Sequence, residues 1–136
     1  MLVGVGNLGR ALLSFRGFAE RGFEIVAAFE NDPKKIGRSV GASRELRTQS
    51  MDEMEQTVRA RTIRLGILAV GSSAAQIVAD SMVAAGVRGI LNFAPVRIQV
   101  APEISVSSVD LAVQLEQLSF QLTGVACSQG PSSVTT

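Results

Sequence analysis

A chain of 136 residues is the size of one domain and long enough to bury a core. With 46% apolar and 18% charged residues it falls among ordinary globular proteins rather than disordered or fibrous ones. A formal charge of +1 on scattered Lys and Arg excludes nucleic-acid binding by charge alone, a single Cys without any His all but excludes a zinc site, and no apolar run is long enough to span a bilayer.

Met1 to Val5 is a short apolar run ending in glycine, as a buried parallel strand would be, and it is shorter than such a first strand normally is. Leu8, Ala11, Leu12, Phe15 and Ala19 recur at helical spacing and predict a helix from Asn7 to Glu20, with Gly22 at its C-terminal cap. Phe23 to Phe29 is a second buried strand, closed by the turn residues Glu30, Asn31, Asp32 and Pro33. Between Lys34 and Thr48 glycines and charges obscure any period; a weak strand is expected near Ser43 to Arg47, and Lys34, Lys35 and Arg38 read as a solvated loop.

Ser50 and Glu53 have capping-box spacing and open a polar helix to Arg61. A strand over Leu65 to Val70, a helix over Ala74 to Ala85 closed by Gly86, and a short strand through Ile90 and Leu91 follow. After Pro95 come a strand at Ile104 to Val106 and a helix from Asp110 to Leu122, with Asp110 as N-cap. That helix is apolar nearly all round, Leu111, Leu115, Leu118 and Leu122 on one face and Val113 and Phe120 off it, more than one side of a sheet can cover. Strand and helix alternate throughout, so the expected fold is α/β: a Rossmann-type doubly wound parallel sheet covered on both faces, spanning residues 1–123, with a disordered tail over 124–136. The lone Cys127 in that tail and the lack of a leader read as a cytoplasmic protein.

Gly4, Gly6 and Gly9 stand as G-V-G-N-L-G between a strand and a helix. The first permits a tight turn, the second lets backbone approach a pyrophosphate, and the third lets the helix pack on the sheet, while the N–H groups at Asn7 and Leu8 open the helix. Glu30 closes the second strand where a carboxylate accepts the hydroxyls of an adenosine ribose, with Asp32 beside it. The pattern points to NAD(H); the carboxylate would repel a ribose phosphate, with Arg38 a small opening for NADP(H).

At the expected nicotinamide end stand Val70, Gly71, Ser72, Asn92, Phe93, Ala94 and Pro95, none of them a proton donor or acceptor suited to hydride chemistry. With no His or Tyr, the Tyr-Lys pair of short-chain dehydrogenases and the His of hydroxy-acid dehydrogenases are both missing. A binding domain rather than an enzyme is expected. Two alternatives stay open: the NAD- or CoA-binding domain of a dehydrogenase or ligase, and a dimerisation module with a decayed site.

The stretches GVGNLGRALL, GF-IVAAF-NDP-KIG, AAQ-VAD, GILNFAPV and VDLAVQL, with gaps where the pattern is not matched, resemble the C-terminal half of the Rex family of redox-sensing transcriptional repressors, along the chain to about Leu122. Two positions depart from the family pattern: Phe15, where some relatives carry Tyr, and Gly71, where Pro is common. The resemblance implies a homodimer that releases operator DNA when NADH binds, the DNA being held by an N-terminal winged-helix domain absent from this chain. It implies that the last helix crosses to the partner, bringing Asp110 and Leu111 to the nicotinamide site. By position, Gly4, Gly6 and Gly9 would hold the pyrophosphate, Glu30 the ribose, and Asn92 to Pro95 the nicotinamide. Burying that ring among apolar groups would disfavour its charged, oxidised form.

Overall fold

The computed structural model describes residues 1–41 and 45–123. The tail with Cys127, and residues 42–44 in the region of the weak strand, lie outside the described residues. In chain order the elements are β1 (Leu2–Val3), α1 (Asn7–Leu13), α2 (Gly17–Glu20), β2 (Ala28–Glu30), β3 (Ser39–Val40), β4 (Leu46–Ser50), a 3-10 turn (Met51–Glu53), α3 (Met54–Arg61), β5 (Leu65–Leu68), α4 (Ser72–Ala85), β6 (Gly89–Asn92), β7 (Ser105–Ser108) and α5 (Leu111–Thr123).

The strands form one sheet in the order β3-β4-β2-β1-β5-β6-β7. All neighbours pair in parallel except β3, which lies antiparallel on the β4 edge. Without that edge the order is the doubly wound one, and it reverses direction between β1 and β5, where such sheets open a crevice at their carboxyl ends. Alternation along the strands divides the core. Val3, Phe29 and Leu68 point toward α3 and α4 and pack with Val58, Ala75, Ala79 and Met82, while Leu2 and Ala28 point the other way, toward Leu12 and Leu13 of α1.

Several expected elements differ. The helix foreseen from Asn7 to Glu20 breaks at Ser14, where the Phe15 N–H turns to the Leu12 carbonyl and the Phe15 ring folds over Gly17 to meet Phe18 edge-on at 5.0 Å. Its packing face is Gly9, Leu12 and Leu13; Leu8, Ala11 and Phe15 are exposed. The second strand begins only at Ala28, because Arg61 Nη1 donates to the Val26 carbonyl at 2.6 Å and the ladders on both sides start opposite Leu2 and Thr48. The weak strand is a hairpin, β3 and β4, continuing to Ser50. Ser50 Oγ accepts the Asp52 N–H at 3.3 Å, one residue short of the capping-box position, so a 3-10 turn precedes α3. α4 starts two residues before the expected Ala74, capped by Gly71.

The larger difference concerns coverage. α3 and α4 cover one face, but on the other, among the described residues, α1 and α2 leave β5, β6 and β7 open, and an apolar groove of about 410 Å³ runs there between Phe18, Phe23, Leu65, Ile67 and Leu91. The connection from β6 to β7 contains no helix, and its Ile98 and Val100 pack with the α4 side.

Thr48, at 2% exposure in the middle of β4, leaves its Oγ1 without a hydrogen-bond partner among the described residues. A buried hydroxyl with no partner costs more than the methyl that would replace it. Thr48→Val is therefore expected to stabilise the domain by about 1 kcal/mol and raise Tm by roughly 4 °C. Thermal unfolding followed by circular dichroism measures it, and a lowered Tm would contradict this account of β4.

Candidate functional site

The glycine turn joins β1 to α1 at the switch point, and each glycine there answers to a different constraint. Gly4 has φ +101°, and a Cβ on it would run into the Ala69 carbonyl and the Val70 side chain at the end of β5. A Cβ on Gly9 would fall on the Gly4 carbonyl oxygen, so α1 rests directly on the turn it follows. At Gly6 a Cβ would meet nothing within 4 Å among the described residues, so the space beside this backbone is open, and Gly6 lines a cleft there. Gly6 has extended backbone and caps α1, its carbonyl accepting the Arg10 N–H at 2.9 Å.

Glu30, at the carboxyl end of β2, faces this turn. Its Oε1 accepts the Val5 N–H at 3.1 Å, and its Oε2 accepts the N–H groups of Asn31 at 2.6 Å and Asp32 at 3.0 Å. The Lys35 ammonium stands 3.9 Å from Oε1. Asp32 builds the turn beneath that lysine, its Oδ1 accepting the Lys34 N–H and its carbonyl the Lys35 N–H.

A cleft of about 510 Å³ connects these groups, running from Gly4, Gly6 and Glu30 past Val70 and Gly71 to Met51 and Val78. Asn7 and Leu8 begin α1 beside it with exposed side chains, and Asp32 is absent from its described lining. It combines a turn open at Gly6, a carboxylate at the rim and an apolar flank on α4.

The other expected residues stand at the ends of β6 and β7. Asn92 is fully buried and spends its side chain on the loop, Nδ2 donating to the Val96 carbonyl and Oδ1 accepting the Ala94 N–H, both at 2.9 Å. The Ala94 side chain belongs to the core. Neither side chain is therefore available to line a pocket as expected; Phe93, half-buried, and Pro95, exposed, remain. Asp110 is the N-cap of α5, its Oδ1 accepting the Ala112 and Val113 N–H groups, and the Val109 N–H on the Asn92 carbonyl ties this helix start to the end of β6. Leu111 is the first residue of α5. The cleft groups and these loop groups thus lie at the same edge of the sheet, without one cavity enclosing both.

Lys35, read from the sequence as part of a solvated loop, lines the cleft, as do Met51, Ile77, Val78 and Ser81, which the sequence did not single out. Met51 and the α4 residues had a readable signal, since the starts of the helices after β4 and β5 flank the switch point. Lys35 had none, because a lysine in a charged turn looks like any solvated one.

Among the described residues no group of His, Cys, Asp and Glu is arranged to hold a metal ion, and no helix is long and apolar enough to cross a membrane.

Comparison with known proteins gives a consistent answer. The family model described as "CoA binding domain" matches residues 1–96. The chain is 48% identical to a protein named redox-sensing transcriptional repressor Rex from Desulfitobacterium hafniense, over 89% of this chain and 56% of the relative, and 48% identical to one of the same name from Carboxydothermus hydrogenoformans, over 90% and 57%. Among solved structures it superposes on RSP, a Rex-family repressor, with TM-score 0.83 and 29% identity over 90% of this chain and 57% of the other. It superposes also on RSP in complex with β-NAD+ and operator DNA, with TM-score 0.85 and 27% identity over 94% and 58%. The mainly parallel sheet is thus that of Rex repressors, and the chain spans a little over half the length of the relatives it matches.

The glycines separate fold from ligand. Gly9→Ala is expected to destabilise the domain by about 3 kcal/mol, because backbone must move to admit the methyl. Gly6→Ala is expected to leave Tm within about 2 °C. A stable Gly9→Ala variant, by thermal denaturation, would show that α1 does not rest on Gly4.

Proposed function

The chain belongs to the CoA-binding domain family, and from that premise we propose that it is the NADH/NAD+-sensing and dimerising portion of a cytoplasmic transcriptional repressor of the Rex type. The observation that carries this reading is the open backbone at Gly6 with the Glu30 carboxylate across the same cleft. The similarity to Rex repressors, including RSP in complex with β-NADH, supports NAD(H) over other dinucleotides.

In this reading backbone at Gly4, Gly6, Asn7 and Leu8 receives the pyrophosphate, Gly9 holding α1 close enough for that. Glu30 accepts a hydroxyl of the adenosine ribose, and Asp32 supports the turn beneath it. Val70 and Gly71 form the wall leading to the nicotinamide, which lies against Phe93 and Pro95 on the loop that Asn92 and Ala94 hold in shape. Reduced nicotinamide is neutral and the oxidised ring carries a positive charge, so packing against the apolar Phe93 and Pro95 favours NADH, against the opposing pull of the partner's Asp110 carboxylate on the charged ring. The residues this chain itself places along that wall and loop, Val70, Gly71, Phe93 and Pro95, carry no proton donor or acceptor, so the domain reads the cofactor rather than turning it over.

The unit comprises residues 1–123 and includes α5. Val113, Leu115, Leu118 and Leu122 are exposed on that helix, Leu122 at 68%. Crossed onto a second copy, the helix would bury them against an apolar surface, bringing the partner's Asp110 and Leu111 to the nicotinamide end. The helix start is anchored at Asn92, so a cofactor seated on the β6 loop is mechanically joined to the dimer contact. Operator DNA would be gripped by a portion corresponding to the part of the relatives' length that this chain does not span, and NADH would release it by shifting the two subunits, with only the difference in affinity available for the work.

Titration of the purified chain tests the ligand. NADH is expected to bind at least about tenfold more tightly than NAD+, and Gly6→Val to weaken NADH by at least about tenfold with Tm unchanged. Coenzyme A binding in place of NADH, or NAD+ binding as tightly as NADH, would overturn the reading. Sedimentation tests assembly: the chain is expected to be a dimer, and Leu115→Glu with Leu118→Glu to yield monomers, since burying two unpaired carboxylates is prohibitive. A dimer surviving both changes would remove α5 from the interface.

A further inference from the structure

The cleft has two charged residues in its described lining, Glu30 and Lys35, and their ammonium–carboxylate separation is 3.9 Å. Acceptor capacity at Glu30 is nearly spent. A carboxylate offers about four lone-pair sites, and three backbone N–H groups already occupy three of them: Val5 on Oε1, Asn31 and Asp32 on Oε2. One site on Oε1 remains for a ribose hydroxyl, on the side where Lys35 approaches.

The lysine is held there by design of the turn. Asp32 accepts the Lys34 N–H through its side chain and the N–H groups of Lys35 and Ile36 through its carbonyl, which aims the residue 35 stem back over β2. Its side chain is 41% exposed, enough to rotate and donate to a ligand oxygen while staying beside Glu30.

We propose that Lys35 is the second specificity-determining residue of the ribose subsite, donating to the hydroxyl oxygens that Glu30 cannot serve and setting, against Glu30, how strongly a 2′-phosphate is refused. This rests on the cleft holding a dinucleotide. A 2′-hydroxyl can donate to Glu30 Oε1 and accept from Lys35 at once. A 2′-phosphate has no proton for Oε1 at neutral pH and brings its charge against the carboxylate, but the same charge draws it to the ammonium. Discrimination between NADH and NADPH is the difference of these two effects, not the work of Glu30 alone. Arg38, which the sequence offered as the opening toward NADP(H), is absent from the described lining of the cleft, and Lys35 takes that role.

Fluorescence titration with NADH and NADPH across four proteins tests this. The unsubstituted chain is expected to favour NADH. Lys35→Gln is expected to weaken NADH several-fold, Glu30→Gln to raise the NADPH to NADH affinity ratio at least about tenfold, and Glu30→Gln with Lys35→Gln to return NADPH binding to the unsubstituted level. NADPH binding as tight in the double variant as in Glu30→Gln overturns the proposal while leaving NADH binding in place. An unsubstituted chain that binds neither nucleotide overturns the dinucleotide reading itself. Because Glu30 also accepts three backbone amides, its replacement can unfold the turn; Lys35→Glu then decides, expected to weaken NADPH more than NADH, with equal weakening of both overturning the proposal.

Discussion

The hydrogen bond from the Val5 N–H to Glu30 Oε1 ties the end of β2 to the glycine turn after β1. These two strand ends lie side by side at the switch point, and nothing in a parallel ladder by itself fixes the loops that leave them. With Asn31 and Asp32 also donating to the carboxylate, one side chain sets the path of both loops. The turn it fixes is the one that leaves Gly6 open, and the loop it fixes is the one that positions Lys35. Charge and backbone geometry at the cleft therefore have a common origin, and a change at Glu30 cannot be read as a ligand effect alone.

The other end of the site is organised by a buried amide. Asn92 satisfies its own donor and acceptor on Val96 and Ala94, which is how a fully buried polar side chain avoids the cost of lost water. The loop that results presents Phe93 and Pro95 while Ala94 points into the core. Two rigid supports, Glu30 and Asn92, thus stand at either end of one sheet edge, and the apolar surface between them belongs to β5 and the start of α4.

Much of this was legible in the sequence because glycine, acid and hydrophobic period are local signals. The G-V-G-N-L-G spacing and Glu30 predicted the cleft, and the structure brings them together; Asp110 caps α5 as its position indicated. What escaped depends on distant partners. The end of the first helix depends on a ring folding back over Gly17, the start of β2 on a guanidinium arriving from α3, and Lys35 on the turn that Asp32 builds. Asn92 and Ala94 were expected to line the site, whereas the Asn92 side chain bonds within its own loop and Ala94 packs in the core, a distinction that composition cannot make.

The uncovered part of the sheet bears on the same question as α5. A doubly wound sheet needs both faces buried, and here β5, β6 and β7 have an apolar groove on one side while the last helix carries exposed leucines. Each alone is an unstable arrangement in water; at about 25 cal/mol per Å² of apolar surface, joining two such surfaces is favourable, and doing so between copies satisfies both at once. Such an interface differs from a rigid one because the helix start hangs on Asn92, beside Phe93 and Pro95. Under the proposed reading, a nicotinamide ring placed there would change what the helix start packs against, and its charge state would become a bias on how two subunits sit.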